Sequence, residues 1–370
     1  MPHLVAIDLP GGPSFVSALR KTWDEGDAAF PIDRRLPITA RKRVMTAIAP
    51  DRVIDDHGVH RLDGMGVEHG DALVVATSGT TGEPRGVVLT HDAVLASARA
   101  TSARIGVTST DTWLACLPLA HVGGLSVVTR SLVTGAGLVV HDGFDATEAE
   151  AAARRGATLV SLVPTALQRV DASLFRCIVL GGSRPPDHLP DNVITTYGMT
   201  ETGSGVVYDG VPLDGVEVRV DVDGEIHLRC PMLMRCYRDG TDPLRDGWFA
   251  TGDLGGIAPD GRLVVHGRRQ DLIISGGENV WPGPIEDAIR THPGVREVAV
   301  SGAPDPEWGQ RVIALIVPAD NAAPPSLASI RTLVSESLPA FMAPKEVRIV
   351  ESLPTTTSGK VLRRALPTSD

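Results

Sequence analysis

No apolar run in this 370-residue chain approaches the roughly 20 residues that a membrane-spanning helix needs. Basic charge is also short. Forty-five Asp and Glu against 35 Lys and Arg leave a formal net charge of −10. Nothing therefore supplies the basic stripe with which a nucleic-acid binder neutralises phosphates. A small anionic substrate is not excluded, since a pocket needs only a few local donors. Cysteine is scarce: Cys116, Cys177, Cys230 and Cys236. The last two lack a nearby histidine pair and are poorly spaced for zinc. All four read as reduced, buried thiols of a cytoplasmic protein. The N-terminal stretch MPHLVAIDLPGGPS has no basic region followed by an apolar core, so no secretion signal is expected.

What is present is ordinary globular material, 42% hydrophobic and 22% charged, enough for a sizeable core and against disorder. The length suits a large domain with a smaller partner. Short apolar runs bounded by glycine or proline recur at 72–76, 112–117, 137–141, 158–163 and 176–180, with helical patterns at 93–105 and 147–155. Strands alternating with helices predict helix-covered, mostly parallel sheets. From about Val206 the texture changes. Runs at 216–222, 224–229 and 261–267 are joined by Asp223-Gly224 and Asp260-Gly261, which predicts a small antiparallel β region. Beyond Gly267, helical patterns at 284–291 and 327–338 and strand patterns at 295–301, 311–318 and 347–350 predict a compact α+β domain. The expected fold class is thus α/β. Residues 1–267 form the large N-terminal domain, and residues 268–370 the small C-terminal one.

Thr77-Ser78-Gly79-Thr80-Thr81-Gly82-Glu83-Pro84-Arg85-Gly86 follows the strand pattern at 72–76 directly, ahead of a helix-like segment, 87–99. Glycines let the backbone approach a ligand and turn its amides inward, four hydroxyls add donors, and Arg85 adds a cation. Triphosphate binding needs such a set. The Gly-Lys-Ser/Thr ending of a P-loop is missing, and a flexible linker would have no reason to sit between two ordered elements.

In this segment the chain resembles the adenylate-forming superfamily of acyl-CoA synthetases, luciferases and peptide-synthetase adenylation domains, whose signature loop reads TSGTTGxPKG. Arg85 stands where lysine is usual, which keeps the charge but changes the donor geometry. The resemblance continues in order along the chain. Gly181-Gly182-Ser183 looks like the adenine-proximal turn. In Tyr197-Gly198-Met199-Thr200-Glu201 the resemblance implies a ring stacked on adenine, a threonine hydroxyl at the α-phosphate, and a glutamate holding Mg2+. A hard cation that shares oxygen ligands with phosphates suits a single carboxylate there. Asp253, in Thr251-Gly252-Asp253, matches the ribose station, with Arg268 as its partner. Gln270 matches the hinge about which a mobile small domain rotates. Gly276 and Gly277 resemble the segment lining the thiol tunnel. Lys360 matches the lysine bridging the reacting carboxylate and the α-phosphate.

The implied enzyme is an ATP-dependent acid–CoA ligase using ATP, Mg2+ and coenzyme A. The segment from Leu117 through His121, Gly124 and Ser126 to Arg130 looks most like the o-succinylbenzoate–CoA ligases of menaquinone synthesis. His121 and Ser126, and more weakly Arg130, are then donors for an aromatic acid with a second carboxylate. Only 76 residues precede the phosphate loop, fewer than in most relatives, which leaves open what the missing part of the acyl pocket is made from. Two alternatives stay open. One is a ligase for another small aryl or short-chain acid, the other an adenylation module loading a carrier protein in trans. A non-enzymatic nucleotide binder would need neither Glu201 nor Lys360. The partners implied are the acid, ATP and CoA, with no nucleic acid, no membrane insertion, and a homodimer as the assembly common in the family.

An ammonium placed ahead of time on the developing charge stabilises the adenylation transition state and has no counterpart duty in thiol attack. Lys360→Ala is accordingly expected to abolish acid-dependent pyrophosphate exchange while pre-formed acyl adenylate still reacts with CoA. Equal loss of both half-reactions in a folded variant would refute that division of labour.

Overall fold

The computed structural model describes residues 1–77, 84–186, 188–355 and 361–368. The chain divides into two compact units. The first comprises Met1–Arg219, His227–Ala250 and Ile257–Leu263, and the second Val220–Ile226, Thr251–Gly256 and Val264–Asp370.

The first unit is built on two seven-stranded sheets. In one, β1 (Leu4–Ile7) and β2 (Ala28–Pro31) run parallel, with β3 (Arg52–Asp55) beyond β1 and β5 (Asp71–Thr77) beyond β2. The edges are finished by β4 (Gly58–Arg61) on one side, and by β6 (Arg85–Thr90) and β16 (Cys236–Tyr237) on the other. The β5–β6 pair is antiparallel, running from Asp71 opposite Thr90 to Thr77 opposite Arg85. This corrects the helix-like reading of 87–99. Val87 and Val88 are β-branched and pair with Val75 and Val74, and the helix α3 (His91–Ile105) begins only after Thr90. Thr90 caps it, its Oγ1 accepting from the Ala93 amide at 3.2 Å.

The second sheet carries five parallel strands, β8 (Gly137–Val140), β7 (Thr112–Ala115), β9 (Leu159–Leu162), β10 (Cys177–Leu180) and β11 (Val193–Met199), in that spatial order. Antiparallel β12 (Ser204–Tyr208) and β13 (Val211–Pro212) complete it. The central strands β9 and β10, rich in Leu, Val and Ile, are buried on both faces, as helix-covered parallel strands should be. The connecting helices are α4 (Val122–Thr134), α5 (Ala146–Arg154) and the short α6 (Pro164–Leu167). A four-stranded sheet has the order β14 (Glu217–Val220), β15 (Glu225–Arg229), β17 (Phe249–Ile257) and β18 (Leu263–Arg268). It realises the antiparallel region that the Asp-Gly pairs announced, with Gly224 and Gly261 both at positive φ in the turns.

In the second unit, β19 (Ile273–Ser275), β20 (Glu278–Val280), β21 (Val295–Asp305), β22 (Gly309–Pro318) and β23 (Glu346–Ile349) form a sheet with helices α7 (Pro282–Arg290) and α8 (Leu327–Ser337). Val298, Val300, Val312, Ala314 and Ile316 of the long hairpin bury one face against Ile285, Ile289, Ile330 and Val334 of the two helices. The four cysteines are free thiols, and burial pushes Cys116 up to about 12. Among the described residues no helix is long and apolar enough to cross a membrane.

The edge strand β16 is short, so it must be fixed from outside its own ladder. Arg235 reaches Asp71 at the start of β5 with two bonds of 2.9 Å, and Asp71 is fully buried. Removing one partner leaves that carboxylate buried without its cation, and the half-exposed arginine tempers the cost to about 2–3 kcal/mol. Arg235→Ala is expected to lower the unfolding free energy by that amount in urea titrations. A loss below about 0.5 kcal/mol would mean the pair does not hold the edge.

Candidate active site

Most of the residues singled out by sequence stand where parallel strands end. Thr77 closes β5 and Gly181-Gly182-Ser183 follow β10. Met199 closes β11, so that Thr200 and Glu201 come next. His121 lies beyond β7, at the start of α4. Open α/β sheets bind ligands outside the carboxyl ends of their strands, because backbone amides and the following helix starts collect there. Ser78, Gly79, Thr80, Thr81 and Gly82 of the phosphate loop, and Lys360, lie outside the described residues.

The Tyr197–Glu201 segment is held by a tight return. Between Tyr197 and Gly198 the pairing with β12 shifts by a bulge. A Cβ on Gly198 would sit 2.2 Å from the Ser204 carbonyl oxygen, so this approach is open only to glycine. Thr202, fully buried, donates from Oγ1 to the Ser204 carbonyl at 2.7 Å and accepts from the Met199 amide at 3.0 Å. The chain thus turns back at once and leaves Thr200 and Glu201 half-buried on its outer side.

Glu201 has a partner that sequence reasoning did not find. The Tyr237 hydroxyl donates to Glu201 Oε1 at 3.1 Å, and the Met234 amide donates to the Glu201 carbonyl at 2.8 Å. Burial, then the neighbouring Glu201 charge, push the Tyr237 phenol well above its usual range, so it stays a donor. Above the Tyr237 ring lies Arg85, its guanidinium carbon 3.8 Å from the ring centre, with Nη2 bonded to Asp239 at 3.0 Å. A single carboxylate among oxygen donors, half-open and with one oxygen engaged by Tyr237, fits a Mg2+ that takes its other ligands from phosphate and water.

His121, an acid-side candidate, stands at the N-cap of α4 without a side-chain capping bond. Its Nε2 lies 3.2 Å from Asp33 Oδ2, at ion-pair distance but off the axis of a hydrogen bond. Gly124 and Ser126 are buried in the first turns. Ser126 lines a narrow cavity with Leu89, Val94, Val122, Leu125 and Gly203. Arg130, 2% exposed, bonds Ser161 Oγ at 3.3 Å and Ser204 Oγ, and lies 5.4 Å from the Trp113 ring centre. Its Nε has no partner among the described residues.

In the second unit Arg268 Nε meets Asp253 Oδ1 at 2.8 Å, which brings the two ribose candidates together. Asp253 is oriented from below by Thr251, whose Oγ1 accepts the Asp253 amide at 3.0 Å. Gln270 is exposed in the single 3-10 turn Arg269–Asp271. Gly276, at φ 61°, packs so closely on Trp308 that a Cβ would come within 2.6 Å of the indole. Lys345 Nζ stands 3.1 Å over that ring. Either side of Lys360, Thr355 and Val361 pair as an isolated antiparallel bridge. Arg363 then grips Glu286 at 2.7 and 2.9 Å. Trp308, Lys345 and Arg363 carry no local signal of their own. Their partners are 32 or more residues away in the chain.

The AMP-binding enzyme model matches residues 65–238, and the AMP-binding enzyme C-terminal domain model matches residues 284–360. A probable 2-succinylbenzoate–CoA ligase of Mycobacterium tuberculosis is 41% identical over 321 residues, 80% of this chain and 83% of that one. The structure is similar to that of an o-succinylbenzoate CoA synthetase from Bacillus subtilis in complex with the acyl-adenylate intermediate. The TM-score is 0.89 at 28% identity, over 100% of this chain and 88% of that one. The same enzyme in complex with ATP and magnesium ion matches with TM-score 0.87 at 28% identity, over 98% and 89%.

A hydrogen bond from a phenol to a carboxylate contributes about 1.5 kcal/mol net. Tyr237→Phe is therefore expected to raise the free Mg2+ needed for half-maximal pyrophosphate exchange about tenfold without moving the KM for the acid. An unchanged Mg2+ dependence would show that Tyr237 does not hold Glu201.

Proposed function

Because the chain belongs to the AMP-binding enzyme family, we propose that it is an AMP-forming 2-succinylbenzoate–CoA ligase. It converts the acid, ATP and CoA to 2-succinylbenzoyl-CoA, AMP and pyrophosphate. The observation that carries this reading is that the Thr200–Glu201 turn follows β11 and the helix start with His121, Gly124 and Ser126 follows β7, at the carboxyl end of the same parallel sheet. A nucleotide station and an acid station share one edge of one sheet.

In the first half-reaction the substrate carboxylate attacks the α-phosphorus of ATP, and pyrophosphate leaves. Positioning and charge neutralisation supply most of the catalysis in such displacements. Tyr197 offers its ring to adenine, Gly181, Gly182 and Ser183 border it, and Asp253 with Arg268 receives the ribose hydroxyls. Thr200 meets the α-phosphate. Glu201 is the protein ligand for Mg2+, which neutralises phosphate charge when bound. The loop from Thr77 to Gly82, with Arg85, receives the β- and γ-phosphates, and Lys360 bridges the two reacting groups.

In the second half-reaction the CoA thiol attacks the acyl carbon and AMP leaves. Residues 268–370 turn about Gln270 between the two steps, so that one site serves both. Gly276 and Gly277 border the thiol path. Lys345, seated over the Trp308 ring beside Gly276, offers an ammonium to a phosphate at the nucleotide end of CoA. Both co-substrates are cytoplasmic metabolites, and the enzyme is placed there.

The acid itself is argued from charge. Arg130 is a cation buried without a carboxylate, so the floor under α4 has a positive charge that nothing in the described residues neutralises. An acid that keeps a second carboxylate after the first is activated gains from that field; a simple fatty acid does not. ATP- and CoA-dependent AMP release against o-succinylbenzoate, benzoate, salicylate and a medium-chain fatty acid tests this. A strong preference for o-succinylbenzoate is expected. Turnover of another acid, or release only when a carrier protein replaces CoA, would overturn the substrate and leave the chemistry standing.

A further inference from the structure

The short N-terminal region reaches the acid side of the site through one carboxylate. Asp33 follows β2, at the carboxyl end of that parallel strand, and is only 8% exposed. Arg35 grips it with two bonds of 2.8 Å, Nε to Oδ1 and Nη2 to Oδ2, while the Arg35 amide donates to Oδ1 at 3.1 Å. Oδ2 also faces His121 Nε2 at 3.2 Å. Nε2 is itself buried, although the imidazole as a whole is 37% exposed. The ring is thus backed on its Nε2 edge by Asp33 and keeps about a third of its surface exposed.

A negative charge this close to an acid-binding helix start would repel the substrate if it stood alone. It does not stand alone: Arg35 is locked on it in the bidentate fork that best neutralises a carboxylate. Burial by itself would raise the Asp33 carboxyl, but the contacts from Arg35 and His121 outweigh it and hold the group well below the usual carboxylate range. The pair is neutral in sum and rigid in geometry.

We propose that Asp33, clamped by Arg35, is the positioning residue that fixes the Nε2 edge of His121 and turns the other edge of the ring to the carboxylic acid. This rests on the reading of His121 as an acid-side residue. It also brings residues 28–35 to the part of the acyl pocket whose make-up the sequence left open. Asp33 touches no reacting atom; it acts through the imidazole.

Initial rates with the acid and ATP varied separately test the proposal on wild type, Asp33→Asn, Arg35→Gln, His121→Ala and the double variants Asp33→Asn/His121→Ala and Arg35→Gln/His121→Ala. Asp33→Asn is expected to raise the KM for the acid about tenfold, with the KM for ATP moving less than about twofold. In the His121→Ala background it should add almost nothing, as coupled neighbours do. Arg35→Gln should raise the acid KM at least as much, because it leaves Asp33 as an unneutralised charge beside the acid. Should Asp33→Asn melt below the assay temperature, Asp33→Asn/Arg35→Gln, which removes both charges together, with and without His121→Ala gives the same comparison. Equal costs of the Asp33 change with and without His121, or a KM for ATP that moves as far as that for the acid, would overturn the clamp alone. An unchanged acid KM in His121→Ala would sink the acid-side reading of His121 and the clamp together, whereas AMP release by the wild type would still establish the ligase.

Discussion

The guanidinium of Arg130 is the contact that joins the elements bearing the first unit's candidate site residues. It leaves α4 and bonds Ser161 on β9 and Ser204 on β12, with Trp113 of β7 alongside. One side chain therefore ties the helix that carries His121, Gly124 and Ser126 to the strand that returns from Tyr197–Glu201. Taking an unpaired cation out of water costs several kcal/mol, and desolvation duly depresses its proton affinity. Two serine hydroxyls and an indole face repay only part of that. A leucine would pack the same space at lower cost. The charge makes physical sense if something anionic comes near it, and an acid-activating site brings such a group at every turnover.

The same economy of strand ends governs the nucleotide side. β2, β5, β7, β10 and β11 all deliver their functional residues at the carboxyl end. None of those residues needs a long loop to reach its place. What holds candidate residues is a second set of side chains: near neighbours in the chain, as Thr202 beside Glu201, Thr251 behind Asp253 and Arg35 behind Asp33, and one from a distant segment, Tyr237 in front of Glu201. Such supports fix rotamers, and reactions that run on positioning need rotamers fixed.

Which of these layers could be read from the sequence follows from that division. The α/β class, the antiparallel region and the α+β segment after Gly267 were legible. Their signals are local: apolar runs such as Leu159–Leu162, Asp-Gly turns, and the helix period of Leu327–Ser337. Motif residues such as Tyr197–Glu201 were legible for the same reason, being contiguous. The strand at Arg85–Thr90 was not, because valines inside a segment that leads into a helix carry no local sign of the ladder they join. The strands before residue 70 were missed too, and two of them, Arg52–Asp55 and Gly58–Arg61, carry no apolar run that would mark them. Asp33, Tyr237 and Asp239 lie 88, 36 and 154 residues from the partners they support, and no periodicity reports a contact at such range.

That range also accounts for the arginine at position 85. Read along the chain, it is an exchange for the usual lysine at a phosphate. In space it faces two groups that lysine would serve unequally. An ammonium could pair with Asp239, but it could not also lie flat on the Tyr237 ring while donating in its own plane; a guanidinium does both. The two contacts differ in strength under load. Asp239 is more than half exposed, and an ion pair of that kind is worth at most about 1 kcal/mol. The stacking on Tyr237 holds the cation where β6 begins even if Asp239 lets go of its donors. Arg85 therefore joins Asp239 to the ring whose hydroxyl bonds Glu201, a pair of contacts that a lysine at the same position could not make together.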